Sequence, residues 1–508
     1  MNRQSELPPT KPRRRIVRNV LFSLLAKTQS AIFSYLSTLI LLHALKVEEY
    51  GFWSLLFIGT TSNLALVARL GLTNSIRRFI PEYFSQSRYR VIARLFHVSN
   101  QLQLAASVLL ILFAFFFAET IADWMKFPHS EDLLRIFSIG VLAFLLGENT
   151  RFVLSGLFMQ RAIFIVNLVY SILRLAGLYI AMQFADPFRA VIVAEVILYA
   201  AMLVFYYAVY YRFVHPLVKA DTRVEDRPPW RRFARYTALS YVSELGVMLL
   251  NSATDLFLVT GYLGAAAVAL YGLANRILVL VHNMLPSKFL EDVITPLFHS
   301  EYGAAPERAQ FGFTLLIKSS LLMTIPMGIW LALMAQPLIV QFFDPRYGEA
   351  AAIVVIMGLF LPMETLRYPL GLMLQNAERN DLLIYGKIFG VFKILLGIWL
   401  VPRGGLATMV WITSISIVGQ NLLFYYWIVR VLKSPTDHVG LLRLLINGVV
   451  AGGLFYLISS WFNGVVGVIA SIFVFSAIWL AVSMLNKVFS SEEREFINSK
   501  LPYPVWKF

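Results

Sequence analysis

Apolar and polar positions along this chain fall into long blocks instead of alternating. Fourteen stretches of about 20 mostly apolar residues follow one another almost end to end, each long enough to cross a bilayer's hydrocarbon core as a helix. They cover 20 to 42, 51 to 71, 95 to 118, 133 to 157, 163 to 184, 190 to 211, 236 to 260, 267 to 285, 313 to 335, 350 to 374, 383 to 400, 405 to 429, 444 to 462 and 464 to 486. The pattern predicts an all-α polytopic membrane protein of about 14 transmembrane helices. Composition agrees, with 58% hydrophobic and 14% charged residues and a mean hydropathy of +0.69, far from the polar balance of a soluble chain.

Charge placement sets the orientation, because Lys and Arg beside short loops stay on the cytoplasmic side. With the N-terminus inside, cytoplasmic segments carry 29 of the 44 Lys and Arg, outer loops carry 5 and the spans hold 10. Both termini are therefore expected in the cytoplasm. The net charge of +15 then reflects topology and attraction to anionic membrane lipids. A nucleic-acid role is not expected, since the basic residues are spread over separate loops with no binding module.

The longest basic interruption within the first twelve spans runs from Arg212 to Arg235 and contains Pro228 and Pro229. It suggests a basic tail (1–19), an N-lobe of helices 1–6 (20–211), an inter-lobe loop (212–235) and a C-lobe of helices 7–12 (236–430). Two appended helices (444–486) and a cytoplasmic tail (487–508) complete the chain. An internal echo supports two pseudo-symmetric six-helix lobes. Glu148-Asn-Thr-Arg151 followed by Gly156-Leu-Phe-Met-Gln160 recurs as Glu364-Thr-Leu-Arg367 followed by Gly371-Leu-Met-Leu-Gln375. Six spans per lobe is an even number, so the halves would be parallel repeats, an arrangement that transporters use.

Several chemistries have no motif here. Cysteine is absent, which rules out disulfides and thiolate metal sites. There is no Gly-rich phosphate loop, His-Glu-x-x-His zinc site or Gly-x-Ser-x-Gly elbow. No enzymatic activity, metal or cofactor is expected. The apolar run after the basic tail lacks a suitable small-residue cleavage site, so the first helix is expected to be retained.

Charge deep in a membrane helix costs several kcal/mol and normally faces protein interior or an aqueous cavity. The deep set comprises Lys27, Arg174, Arg276 and Lys393 with the acids Glu195, Glu244 and Asp255. Arg69, Arg135, Lys318 and Lys387 lie nearer span ends, where long side chains can reach the interface. Helical spacing places the deep charges on polar stripes: Ser23, Lys27, Ser34 and Thr38; Asn167, Ser171 and Arg174; Glu244, Asn251 and Asp255; Arg276 and Asn283. Four such helices could enclose a central aqueous cavity with a cationic wall suited to an anionic ligand such as a lipid–sugar diphosphate. The alternative is that these charges form interhelical ion pairs and bind nothing. Glu148 with Arg151, and Glu364 with Arg367, lie one turn apart and are expected to be structural pairs.

Glu48-Glu49-Tyr50-Gly51, Gly71-Leu72 leading into Arg78-Phe79-Ile80-Pro81-Glu82-Tyr83, Leu270-Tyr271-Gly272 and Phe342-Phe343-Asp344-Pro345-Arg346-Tyr347 carry a resemblance. The chain resembles the Wzx-type O-antigen and polysaccharide flippases of the multidrug/oligosaccharidyl-lipid/polysaccharide superfamily. The resemblance implies two six-helix lobes around a cavity, two further helices, and alternating access that moves a lipid-linked oligosaccharide across the bacterial inner membrane. Under that expectation Lys27, Arg174, Arg276 and Lys393 hold the diphosphate of an undecaprenyl carrier. Glu244 and Asp255 couple an ion or tune those cations. A polysaccharide polymerase and glycosyltransferases are the further candidate partners. A lipid II flippase, a cation-coupled drug antiporter of the same superfamily and a non-transporting assembly scaffold are the alternatives.

Overall fold

The computed structural model describes residues 12–127, 130–222, 228–283, 285, 306–377, 379–432 and 437–500. Within these, the side chains of 12–24, Lys27, 306–309, Asn376, Asn380 and Lys500 lie outside the description. Every regular element among the described residues is helical.

The principal helices are α1 (Pro12–Ala44), α2 (Val47–Ala68), α3 (Leu72–Ser85), α4 (Tyr89–Phe116) and α5 (Glu131–Gly156). They continue as α6 (Gln160–Ala181), α7 (Pro187–Ala220), α8 (Trp230–Leu250), α9 (Ser252–Leu263) and α10 (Ala265–Asn283). The remainder are α11 (Pro306–Phe342), α12 (Ala350–Asn376), α13 (Ile388–Arg430), α14 (His438–Ser459), α15 (Gly464–Leu485) and α16 (Ser491–Lys500).

Eleven of the described helices are long and apolar enough to span a membrane, and α8 with α9, bent by 51°, make a twelfth. One of the eleven, running Asp381–Arg430, contains two of the expected spans. Gly405 breaks it with φ 73° and ψ −162°, a conformation open to glycine and strained for other residues. Phe389 meets Gly419 and Gly397 meets Met409, pairs that a continuous helix would hold about 45 and about 18 Å apart. The chain therefore doubles back at Gly405. The first expected span lies within α1. The chain is a multi-pass, all-helical membrane protein, as the block pattern predicts.

By contacts the chain forms two compact units. One comprises 1–45 with Thr60–Leu245, the other Lys46–Gly59 with Gly246–Phe508. The assignment changes within α2 at a π-helical turn, Leu55–Thr60. In the first unit α1 and α6 are joined by a Gln29 Nε2–H bond to Ser171 Oγ (2.7 Å). Helices α4 and α5 are joined by Asn149 Nδ2, which donates to Ser99 Oγ (3.1 Å) and Asn100 Oδ1 (2.5 Å). In the second unit a Cβ on Gly328 would sit 2.2 Å from the Gly358 carbonyl oxygen, so α11 and α12 approach backbone to backbone, a packing mode that small residues permit in membranes.

Lys318, expected near a span end where its side chain can reach the interface, is enclosed by protein. It is fully buried, and its Nζ donates to Asp437 Oδ2 (2.5 Å), Glu493 Oε2 (2.6 Å) and the Val488 carbonyl (3.3 Å). Two carboxylates far along the chain compensate its charge.

Candidate functional site

In the second unit a cavity of about 410 Å³ opens between α8, α9, α10, α12 and the second arm of α13. Its polar lining includes Asn251, Tyr271, Asn275, Glu364, Arg367 and Thr413. A larger cavity of about 560 Å³, between α11, α12, α13 and α14, is walled by side chains such as Leu321, Ile325 and Leu445, with Asn421 and Tyr425 among its few polar residues. No charged side chain lines that one, so the polar cavity is the candidate for a charged ligand.

The break between α8 and α9 shapes the polar cavity. Asn251 Oδ1 accepts from the Ala253 N–H (3.1 Å) and so caps α9. Thr254 Oγ1 donates to the Met248 carbonyl (2.6 Å). Interrupting the helix leaves the Asn251 carbonyl to accept from Lys393 Nζ (3.0 Å). Lys393 also donates to Asp255 Oδ1 (2.5 Å), while Asp255 Oδ2 accepts from Tyr271 Oη (2.6 Å) and Thr413 Oγ1 (2.7 Å). Both charged side chains have no solvent exposure. Asn251, Tyr271 and Thr413 thus face the cavity and hold the ion pair behind it. At another part of the wall, Arg367 Nη1 donates to Glu364 Oε1 (2.9 Å).

The first unit holds a second cluster of charge. Arg151 Nε and Nη2 donate to the two oxygens of Glu148 at 2.6 and 2.7 Å, a bidentate fork. Arg69 Nη2 lies 3.6 Å from Glu148 Oε2. The guanidiniums of Arg151, Arg77 and Arg69 stand 4.5, 4.7 and 5.5 Å from the centroid of the Phe152 ring. Glu244 accepts from Asn74 Nδ2 (2.9 Å) through Oε1. Its Oε2 and the Nε of Arg69 are buried and have no hydrogen-bond partner. Arg69 is brought here by a sharp reversal between α2 and α3, where Leu70 and Gly71 have φ of 51° and 73°.

The expected site residues are distributed over several surroundings. Arg174 is committed to Glu195, with its Nε 3.0 Å from both carboxylate oxygens and Nη2 2.5 Å from Oε1. Lys393 and Asp255 are committed to each other. Glu148 with Arg151, and Glu364 with Arg367, each close within one helical turn. Arg276 is half-buried. It is not among the cavity-lining residues, whereas Asn275, Leu278, Val279 and His282 from one face of its helix are. The side chain of Lys27 lies outside the described residues. Arg69 and Arg77, read from the sequence as a span-end residue and part of a basic loop, belong to the Glu148 cluster. The sequence signal for that cluster was the Glu-x-x-Arg echo itself.

A family model described as "Polysaccharide biosynthesis protein" matches residues 16–300. Among characterised relatives, the teichuronic acid biosynthesis protein TuaB of Bacillus subtilis is 25% identical over 336 residues, covering 65% of this chain and 67% of that protein. Among solved structures, the lipid II flippase MurJ in an inward closed conformation superposes with a TM-score of 0.70 at 13% identity, covering 94% of this chain and all of that one. An inward-facing multidrug MATE transporter superposes with a TM-score of 0.63 at 16% identity, over 80% of this chain and 97% of that one. The helical fold is thus that of MurJ and of the MATE transporter, and because the family model covers more than half the sequence, this chain belongs to the polysaccharide biosynthesis protein family.

Proposed function

We propose that this protein is a flippase that carries an undecaprenyl-diphosphate-linked oligosaccharide across the bacterial inner membrane by alternating access, for polysaccharide biosynthesis. The observation that carries this reading is the polar cavity of about 410 Å³ enclosed by membrane-spanning helices in a chain of this family. A hollow with polar side chains in its wall within an otherwise apolar bundle suits a sugar headgroup, and the polyprenyl tail would remain in lipid throughout. The basic residues flanking the loops support cytoplasmic placement of both termini. A polymerase and glycosyltransferases of the same pathway are its natural partners.

The ion pairs refine the roles. Arg174 and Lys393 act in this conformation as fixed partners of Glu195 and Asp255, and Lys27 and Arg276 keep their assignment to the diphosphate from their depth in the sequence pattern. Asp255 has both oxygens bonded. Glu244, with one buried oxygen lacking a partner, is the better position for a coupling proton or Na⁺. Lacking an ATP-binding motif, the chain would draw on an ion gradient, the membrane potential or consumption of the flipped product.

The test is Arg276→Ala in the native host. The expected result is loss of surface polysaccharide and accumulation of lipid-linked repeat units on the cytoplasmic leaflet, with the variant present in the membrane at normal abundance. Unchanged surface polysaccharide would remove the Arg276 assignment. Ion-dependent efflux of an organic cation by purified protein, with no movement of the lipid-linked sugar, would replace the reading with drug antiport.

A further inference from the structure

The break between α8 and α9 gathers oxygen atoms around one ammonium. Asn251 and Asp255 are four residues apart across the first turn of α9, and each turns an oxygen to Lys393 Nζ, the Asn251 carbonyl at 3.0 Å and Asp255 Oδ1 at 2.5 Å. The same carbonyl accepts the Thr254 N–H (3.1 Å), so both of its lone pairs are used. Lysine reaches the main chain because α13 comes close on either side of it. Gly390 and Gly397 flank Lys393 on one face of that helix. Cβ atoms on them would sit 2.7 Å from Leu249 Cβ and 2.8 Å from Leu258 Cδ1, one contact before the break and one after it. Small residues permit such an approach between membrane helices, and the four-carbon stem of lysine then brings the ammonium to the carbonyl.

These are the ligands of a bare cation. A plain interhelical salt bridge is satisfied by carboxylate oxygens, whereas here one acceptor is a main-chain carbonyl at a helix break, the group that discontinuous helices of transporters present to Na⁺. Carboxylate and carbonyl oxygens together are what hard cations take. The other carboxylate oxygen, Asp255 Oδ2, is held by Tyr271 Oη (2.6 Å) and Thr413 Oγ1 (2.7 Å). Those bonds orient Oδ1 toward the ammonium, as outer partners orient the ligands of a metal. Asn251, Tyr271 and Thr413 all line the polar cavity, so water and a small ion in the cavity meet the cage directly. Both charged side chains are fully enclosed while Lys393 is in place.

From this arrangement we infer that the Asn251 carbonyl and the Asp255 carboxylate form a binding site for a monovalent cation of the size of Na⁺, and that the Lys393 ammonium occupies it as a cation built into the chain. The inference goes beyond the flippase reading and does not rest on it. A permanent occupant makes the α8–α9 break and its contact with α13 independent of the salt on either side of the membrane. It also closes Asp255 to a coupling ion, in keeping with the assignment of that role to Glu244. Removing the stem and the ammonium together opens the cage to the ion that the ammonium imitates, with water from the cavity completing the coordination.

The test uses the full chain in detergent, with NaCl exchanged for choline chloride at constant ionic strength, choline being too large for the cage. Thermal unfolding and equilibrium binding of radioactive Na⁺ are followed for the wild type, Lys393→Ala, Lys393→Ala/Asp255→Asn and Lys393→Met. Each variant is read as a difference from the wild type, so that Na⁺ bound elsewhere cancels. The expected result is that Lys393→Ala is destabilised in choline, regains stability as Na⁺ replaces it, and binds one further Na⁺ per chain. Once Na⁺ exceeds Kd, each tenfold increase should raise the folded-to-unfolded ratio about tenfold. Lys393→Ala/Asp255→Asn, which lacks the carboxylate, and Lys393→Met, whose thioether fills the vacated space, should show no gain over the wild type. A Lys393→Ala protein no more responsive to Na⁺ than the wild type, or an equal response in the double variant or in Lys393→Met, overturns the inference and leaves the pair a plain salt bridge. Lys393→Ser carries the same prediction with a hydroxyl oxygen added to the space. If neither small variant can be recovered in NaCl, the cage does not accept the ion and the inference falls as well. None of these outcomes touches the flippase reading, which Arg276→Ala tests separately.

Discussion

The buried pair between Lys393 and Asp255 allows a quantitative test of whether Lys393 serves structure or ligand. Replacing Lys393 with Met keeps the length and volume of the side chain and removes the ammonium. Asp255 then keeps its bonds from Tyr271 and Thr413 but loses the Lys393 ammonium in a place with no solvent exposure. Removing one member of a buried pair costs about 3–5 kcal/mol, and the two surviving neutral donors put this case near the lower end, about 3 kcal/mol. Lys393→Met/Asp255→Asn removes both charges while leaving an amide for the same hydroxyls to bond. That double variant should lie within about 1.5 kcal/mol of wild type, a coupling of about 2 kcal/mol or more in the cycle. Equilibrium unfolding of the detergent-purified chain, followed through tryptophan fluorescence, reads all four states. A stable Lys393→Met protein, or single losses that simply add in the double variant, would refute the structural account. A stable variant unable to translocate substrate would return Lys393 to the diphosphate.

Glycines supply a second test, since a Cβ on Gly51 would lie 1.9 Å from the Ala265 carbonyl oxygen and one on Gly371 meets nothing within 4 Å. Gly51→Ala should lower stability by about 1–3 kcal/mol, whereas Gly371→Ala should raise it by about 0.5–1 kcal/mol; unfolding midpoints that move together would refute this. Gly71 combines φ of 73° with a Cβ position 2.3 Å from the Thr237 carbonyl oxygen, so Gly71→Ala should be at least as damaging as Gly51→Ala in the same measurement. Lys318→Met should release α16, seen as faster amide exchange over 491–499. The Asp437 arm of this cluster has a defined pH sense: burial pushes its carboxyl up, but bonds from Lys318 and the Gly440 N–H outweigh that and hold it below the usual aspartate value. A depressed folded value stabilises above the unfolded pKa and loses that contribution as pH falls through the folded one. Protection of α16 should therefore be flat from pH 7 to about pH 5 and decline only below about pH 4; a decline centred near neutrality would exclude Asp437 as its source.

The fold was largely legible because the bilayer forces each crossing into a helix about 20 residues long. The span expected at 163–184 is observed as Gln160–Ala181, and the pair expected at 383–400 and 405–429 as one helix broken at Gly405. Pairing was another matter. Arg174 finds Glu195 on the next helix, but Asp255 finds Lys393 from 138 residues away and Lys318 finds Glu493 from 175. Periodicity assigns a residue to a face of its own helix and carries no information on which helix that face meets. The same gap hid Arg69 and Arg77, whose position depends on the left-handed backbone at Leu70 and Gly71 more than on any stripe.

The two Glu-x-x-Arg copies show how far a repeated pattern determines a role. Both close the same one-turn pair, but Arg151 uses Nε and Nη2 on the two oxygens of Glu148, whereas Arg367 gives Nη1 alone to one oxygen of Glu364. Phe152 follows Arg151 and gathers two further arginines; Tyr368 follows Arg367, and the Glu364–Arg367 pair borders the polar cavity. Lysine can replace a single-point donor but cannot reproduce a planar fork or its stacking. Arg151→Lys should therefore lose about 1–2 kcal/mol, one charge-assisted bond and part of the ring contact, while Arg367→Lys should lose less than about 0.5 kcal/mol, as expected of a partly exposed pair. Unfolding midpoints of the two variants measure the difference directly. Equal losses would mean that the local i, i+3 spacing alone sets the energetics, and that the surroundings which distinguish an arginine cluster from a cavity wall contribute nothing.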